Sequence, residues 1–165
     1  MGISRFLLCA AVFGISALLC GCSGDDSGGS SGPIQPSVSL AGADVLVDGQ
    51  SVANLTIAAG SGSSTLFTAT LADPADRDRI HQMQMEYPDH SSGGMMDHRS
   101  TMLLHDDGTH GDPVAGDGTY CYLDTDGHIG PHGDGCPDGE YTYRFHGDDT
   151  SGHETNWVDC RVTVQ

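Results

Sequence analysis

Residues 139–146 read GEYTYRFH, and residues 157–164 read WVDCRVTV. In both stretches apolar side chains recur at every second position, and β-branched and aromatic residues are enriched. A period of two with that composition is typical of strands that bury one face. The two stretches therefore predict a pair of strands whose apolar faces point into one core.

Upstream of this pair, similar short apolar runs recur between clusters of Gly, Asp and Pro. They lie at 38–46, 52–58, 66–71, 80–85, 101–105 and 118–123. Seven or eight strands separated by turn signals are typical of an antiparallel sandwich. A domain of roughly 130 residues buries about two-thirds of its unfolded surface, which suffices for one core. We expect an all-β antiparallel sandwich, with at most a helical turn at 76–79.

Two passages resemble bacterial extracellular immunoglobulin-like domains. Residues 104–120 (LHDDGTHGDPVAGDGTY) are similar to the D-D-G-x-x-G-D-x-x-A-G-D-G-x-Y signature of that family. Residues 139–143 (GEYTY) and 148–156 (DDTSGHETN) are similar to its last hairpin, although His153 stands where the family usually has Asn. The resemblance implies an immunoglobulin-like β-sandwich in a surface setting, and it implies no enzymatic activity.

The N-terminus is typical of an export signal. Arg5 precedes an apolar run, 6–19, that is shorter than the roughly 20 residues a membrane span needs. The next residues, LCGC at 19–22, resemble the lipobox of bacterial lipoproteins, which implies that Cys22 is acylated; an ordinary cleaved signal is the alternative. Residues 23–32 (SGDDSGGSSG) form a flexible Gly/Ser tether. We expect three parts: a lipoprotein signal peptide at 1–21, a tether at 22–35 and the sandwich domain at 36–165.

Composition excludes several classes of partner. The chain has 23 acidic residues and 6 basic ones, all arginine, and a formal net charge of −17. Nucleic acid and anionic lipid are bound mainly through Lys and Arg, so neither is expected as a partner. Membrane contact is expected only through the N-terminal lipid. By resemblance to lipoprotein sorting, Ser23 favours the outer membrane in a bacterium that has one, and an envelope protein or polymer is the expected class of partner.

Four aspartates alternate with glycines in the signature passage: Asp106, Asp107, Asp112 and Asp117. Ca²⁺ takes six to eight oxygen ligands, and glycine lets a loop turn several carboxylates inward. The spacing does not match an EF-hand, because the twelfth position counted from Asp106 is Asp117 rather than Glu. One expectation is a Ca²⁺ site that stabilises the fold. The other is a set of tight turns, which Asp and Gly also favour.

Three cysteines follow Cys22, and export permits disulfides. Cys121 and Cys136 flank a Gly-rich stretch that looks like an insertion in the family pattern, so we expect them to pair. Cys160 alternates with valines and is expected to be a buried thiol. A pair that involves Cys160 stays open.

A Met/His-rich stretch indicates a different kind of metal site. Between Ile80 and His105 lie five of the six Met and four of the nine His. Thioether and imidazole ligands select copper or zinc. The alternative function is therefore an envelope metal-handling protein that binds copper or zinc through His81, Met83, Met85, His90, Met95, Met96 and His98. Met83 and Met85 are also interpretable as ordinary strand or core residues.

The sequence lacks several catalytic motifs. His153-Glu154 has no second His for a helical zinc-protease site, no Gly-x-Ser-x-Gly motif lies between a predicted strand and a helix, and no lysine occurs. The sequence predicts no enzyme. It predicts a lipid-anchored binding or structural module of the cell envelope, stabilised by Ca²⁺.

Overall fold

The computed structural model describes residues 37–60, 62–88, 99–127, 129–131 and 137–165. Within these ranges the chain forms nine strands and one 3₁₀ helix. The strands are β1 (Leu40–Val47), β2 (Gln50–Ser51), β3 (Leu55–Ile57), β4 (Thr65–Leu71), β5 (Ile80–Pro88), β6 (Arg99–Leu104), β7 (Thr119–Asp124), β8 (Gly139–Asp149) and β9 (Val158–Val164). The helix spans Pro74–Arg79, and Asp73 caps it by accepting a hydrogen bond from the Ala75 amide at 2.9 Å.

The strands form two sheets. Sheet A has the order β2-β1-β4-β7, and sheet B has the order β3-β9-β8-β5-β6. Every pairing is antiparallel except that of β3 with β9. The predicted all-β sandwich is confirmed, and the parallel β3–β9 pair is a departure from a purely antiparallel arrangement.

The core lies between the two sheets and follows the alternation in the sequence. Tyr141, Tyr143 and Phe145 on β8 are each 1 % exposed or less. From sheet A, Phe67 meets them, with its ring centroid 5.0 Å from that of Tyr143. Each buried aromatic side chain contributes about 1.5–3 kcal/mol by leaving water, so this contact helps to hold the sheets together. Cys160 is 3 % exposed and is a free thiol, as predicted.

The strand predicted at 52–58 is shorter in the structure, where only β3 (Leu55–Ile57) lies in that range and β2 (Gln50–Ser51) precedes it. Asp48 and Gly49 have φ of 47° and 79°, the positive values that a type I′ turn requires, and they fold β2 back on β1. Asn54, with φ of 62°, then redirects the chain so that β3 joins sheet B. The prediction began this strand too early, because a pattern of apolar residues does not show the positive φ of Asn54.

The N-terminal predictions lie outside the described residues, which begin at 37. These predictions are the signal peptide, the tether, the domain start at residue 36 and the lipidated Cys22. In the described part of the chain, no helix has the length and apolar character that crossing a membrane requires.

Candidate functional site

The signature passage forms the connection between β6 and β7, residues 105–118, called the acidic loop below. At its start, His105 exchanges two backbone hydrogen bonds with Cys121 of β7, at 2.9 and 2.8 Å. β6 is the last strand of sheet B and β7 the last strand of sheet A. The acidic loop therefore ties neighbouring edges of the two sheets together.

Asp106 is buried on the inner side of the acidic loop, and its carboxylate is fully used. Oδ1 accepts hydrogen bonds from the amides of Gly116 and Asp117 at 2.6 and 3.2 Å. Oδ2 accepts one from the Gly118 amide at 3.1 Å, and Arg77 Nε lies 3.3 Å from the same oxygen. A carboxylate has about four lone-pair sites, so these four donors fix the loop and balance the charge without a metal ion.

Asp112 closes the first half of the acidic loop. Its Oδ2 accepts a hydrogen bond from the Gly108 amide at 2.8 Å, and its Oδ1 accepts one from the Val114 amide at 3.0 Å. Between them, Gly111 has φ of 88°, and a Cβ at this position would lie 2.6 Å from Leu66 Cδ1. It would also lie 3.0 Å from Leu123 Cβ, so the loop packs closely against sheet A at Gly111.

Cys121 lies beneath the acidic loop and not among the core residues between the sheets. Burial, followed by the negative charges of Asp112, Asp117 and Asp106, raises the pKa of the Cys121 thiol to about 11. Cys121 is a free thiol in the structure, and Cys136 lies outside the described residues. The Cys121–Cys136 disulfide therefore has no support from the structure and stays a prediction.

Asp107 and Asp117 lie on the outer side of the acidic loop and are exposed. Asp107 Oδ1 accepts hydrogen bonds from the Thr109 hydroxyl and amide, at 2.5 and 2.9 Å, and these bonds hold the pKa of Asp107 below its usual range. Asp117 Oδ1 accepts one from the Thr119 amide at 2.8 Å. Within the described residues, the Oδ2 atoms of both side chains have no hydrogen-bond partner, so each keeps an oxygen available.

The four aspartates predicted as one Ca²⁺ site are divided between two groups of potential metal ligands. In each group the ligand atoms lie within 4.8 Å of one another. The first group contains three carboxylates: Asp106, Asp112 and Asp117. The second contains one carboxylate and two imidazoles: His105, Asp107 and His110. The structure thus separates an all-oxygen cluster from a mixed cluster on the same loop.

The two imidazoles of the second group stack on each other. The ring centroids of His105 and His110 are 4.1 Å apart with an interplanar angle of 20°. His110 has φ of 53°, a conformation that His adopts more readily than most side chains with a Cβ. The sequence prediction missed this pair because His105 was counted with the upstream Met/His stretch and His110 was not considered as a ligand. The signal was the His-x₄-His spacing within the loop.

The residues predicted to bind copper or zinc do not form one site among the described residues. Met83 and Met85 are 1 % and 0 % exposed and belong to the core cluster, so they are core residues and not ligands of a surface site. His81 is exposed and lines a groove of about 340 Å³ that His105 also lines. The remaining predicted ligands lie outside the described residues: His90, Met95, Met96 and His98.

A third group of potential ligands lies on sheet B and the turn that follows β8: His146, Asp148 and Glu154. The His146 ring stacks on Trp157 with centroids 3.7 Å apart. His146 is 5 % exposed, and its Nδ1 is buried without a hydrogen-bond partner among the described residues. Burying a polar atom in this way costs free energy.

Comparisons with known proteins add little. No protein-family model and no curated protein matches this chain. Among solved structures, it is similar to the crystal structure of a Niemann-Pick type C2 protein from Japanese carpenter ant, with a TM-score of 0.37 and 9% identity. The match covers 78% of this chain and 92% of that chain. At this similarity the comparison carries no information on function.

Proposed function

We propose that the chain is a lipid-anchored cell-envelope protein whose folded part is a non-catalytic, immunoglobulin-like binding or structural module. The observation that carries this proposal is the acidic loop, which is built as a rigid tie between the sheets. Its buried carboxylates accept hydrogen bonds from backbone amides. A general acid would need a raised pKa, whereas the pKa of Asp107 is lowered and no apolar surroundings raise it. This arrangement favours a structural or binding role over catalysis.

The strand connectivity supports the immunoglobulin-like part of the proposal. In that fold, strands A, B and E share one sheet, and strands C, F and G share the other. Here β1, β4 and β7 are neighbours in sheet A, and β5, β8 and β9 are neighbours in sheet B. Taken in chain order, these six strands correspond to A, B, E and to C, F, G. β6 is then an additional edge strand beside C, and β3 runs parallel to G.

Ca²⁺ is the proposed stabilising ion of the all-oxygen cluster. Asp117 keeps a free oxygen, and each oxygen of Asp112 accepts only one hydrogen bond, whereas Asp106 is already saturated. We therefore propose Asp112 and Asp117 as ligands, with Asp106 as the residue that fixes the loop around them. The ion would add stability to a loop that hydrogen bonds already hold in place.

Thermal unfolding tests the Ca²⁺ proposal. In millimolar Ca²⁺, at about one hundred times the dissociation constant, the domain should gain about 2.7 kcal/mol over the EDTA form, and Mg²⁺ should not reproduce this gain. Asp117→Asn should remove most of the gain, while the control Asp138→Asn, an exposed acid outside the loop, should keep it. If Ca²⁺ leaves the melting temperature unchanged, the loop aspartates are turn residues only.

Fatty-acid labelling tests the anchor. Cys22→Ala should leave the protein unlabelled by palmitate and soluble after cell lysis, while Cys20→Ala should keep the label. If the label persists in Cys22→Ala, another residue is acylated and Cys22 is the wrong attachment residue.

A further inference from the structure

We infer that His105, Asp107 and His110 form a binding site for a divalent transition-metal ion of the Zn²⁺ type on the outer side of the acidic loop. One ligand atom from each of the three side chains lies within 4.8 Å of the other two. All three are at least partly exposed, so an ion reaches them without opening the fold. This site shares no ligand with the proposed Ca²⁺ cluster and does not depend on it.

The donor types select the ion. Ca²⁺ and Mg²⁺ take oxygen ligands, whereas imidazole suits Zn²⁺ and Cu²⁺. Two imidazoles and one carboxylate resemble the three-ligand set of an open zinc site, in which water or another molecule takes the fourth position. No thioether belongs to the group, so the set favours a divalent ion over Cu(I).

Hydrogen bonding near His110 determines which ring nitrogen is available. The Thr109 hydroxyl lies 2.5 Å from Asp107 Oδ1 and 2.5 Å from His110 Nδ1. The hydroxyl has one proton, and it donates that proton to the carboxylate because an ionised carboxylate only accepts. His110 Nδ1 must then be the donor to the hydroxyl oxygen, so Nε2 carries the lone pair. A histidine ligand oriented through its other nitrogen is the usual arrangement at metal sites.

The ring nitrogens of His105 are available to bind a metal ion. Within the described part of the chain its ring makes a stacking contact with His110, and neither of its nitrogens has a hydrogen-bond partner. Asp107 accepts its two hydrogen bonds through Oδ1 alone, which leaves Oδ2 for an ion. Each of the three side chains therefore offers one atom that no protein group occupies.

Only a small closure is needed. A tetrahedral ion with ligands at about 2.1 Å holds neighbouring ligand atoms about 3.4 Å apart. One ligand atom of each side chain lies within 4.8 Å of the other two, and we expect rotation of the exposed Asp107 and His110 side chains to close the remaining distance. The backbone stays in place, because Asp106 and Asp112 hold the loop.

Zn²⁺ titration of the full chain, washed with EDTA and followed by competition with a chromogenic chelator, tests this site. His105→Gln/His110→Asn should weaken Zn²⁺ binding by at least the 10- to 100-fold that outer-shell partners alone are worth. Asn suits position 110 because it tolerates positive φ. The matched control is His90→Gln/His98→Asn, which removes two histidines from the Met/His stretch and should leave this affinity unchanged.

Substitutions at Thr109 test whether its hydroxyl orients the His110 ring, which removing a ligand does not test. Thr109→Val removes the hydroxyl that orients His110 and should weaken Zn²⁺ binding about 10-fold, while Thr109→Ser should restore it. Affinity should also fall as the pH is lowered, because protons compete with the metal for imidazole. Equal affinities in the Val and Ser variants would contradict the assigned nitrogen.

The titration has outcomes that would contradict the proposed Zn²⁺ site. If the wild-type chain binds no Zn²⁺, or if the His90/His98 variant loses binding while the His105/His110 variant keeps it, the proposed site is wrong. Equal losses in both variants also overturn a site confined to the acidic loop. Ca²⁺-dependent melting of the His105/His110 variant separates the two proposals, since Asp112 and Asp117 are intact in it.

Discussion

Asp106 lies in the acidic loop and His146 on β8; both are buried, and their hydrogen-bonding states are opposite. Asp106 is 7 % exposed, and its carboxylate has four donors. His146 is 5 % exposed, and its Nδ1 has no partner among the described residues. A buried polar group stabilises a fold only when its partners replace the lost water. We expect Asp106 to stabilise the fold strongly and the polar atom of His146 to weaken it.

The same contrast occurs between neighbours within the acidic loop. Asp106 points inward to three amides and Arg77, whereas Asp107 is exposed and bonds only to Thr109. Adjacent aspartates thus have different roles: one holds the loop, and the other is available to a ligand. Substituting each in turn separates these roles.

Asp106→Asn should produce the largest loss of stability. It removes the charge that pairs with Arg77 and places an NH₂ group against amide donors, so we expect about 3 kcal/mol, the lower end for a broken buried pair because Arg77 is partly exposed. Asp107→Asn is the matched control and should cost less than about 0.5 kcal/mol. Urea unfolding in EDTA measures both. Equal losses would show that burial of Asp106 has no special role in the loop.

Gly111→Ala should have the next largest effect. Gly111 and Gly49 both have positive φ, 88° and 79°, but only at Gly111 would a Cβ meet another residue, at 2.6 Å from Leu66 Cδ1. Gly49→Ala should cost about 1 kcal/mol of backbone strain. Gly111→Ala should cost about 2 kcal/mol, because overpacking adds to the same strain. If the two losses measured by urea unfolding are equal, the loop is not packed tightly on sheet A.

The sequence was sufficient to predict much of the fold. Strands β8 and β9 follow directly from alternation, because one face of each is buried in the core, and the helical turn at 76–79 lies within the 3₁₀ helix. The shortening of the strand predicted at 52–58 to Leu55–Ile57 was not predicted. It depends on positive φ at Asn54, and a pattern of apolar residues does not report backbone conformation.

The site was less predictable, because its contacts are between distant or differently oriented residues. Asp106 was predicted either as a Ca²⁺ ligand or as a turn residue, and neither expectation included the cation that lies beside it, Arg77, 29 positions earlier in the chain. Alternation along one strand does not indicate that pair. Likewise, Asp106 and Asp107 are equivalent in sequence, and only the course of the loop decides which one is buried.

His146→Phe tests the opposite case, a buried polar atom without a hydrogen-bond partner among the described residues. Phe keeps a ring to stack on Trp157 and removes the unpartnered Nδ1, so in EDTA we expect a gain of about 1 kcal/mol in the free energy of unfolding. His146→Ala, the control, loses the stacking contact as well and should destabilise the fold. Destabilisation by His146→Phe as well would show that Nδ1 has a stabilising partner.

The smallest expected effect is the pH dependence caused by Cys121. Its thiol has a pKa of about 11 in the folded protein, against an ordinary value of 9.0, because burial and the loop aspartates disfavour the thiolate. Since the folded state favours the protonated thiol, its contribution is fully present well below pH 9 and is lost between pH 9 and 11. At pH 9 we expect the free energy of unfolding to be about half a kcal/mol lower than at pH 7.

Urea unfolding of wild type and Cys121→Ala at both pH values isolates this loss, because the Ala variant has no thiol to ionise. If the two proteins respond identically to pH, the Cys121 thiol does not titrate, as the Cys121–Cys136 disulfide would require.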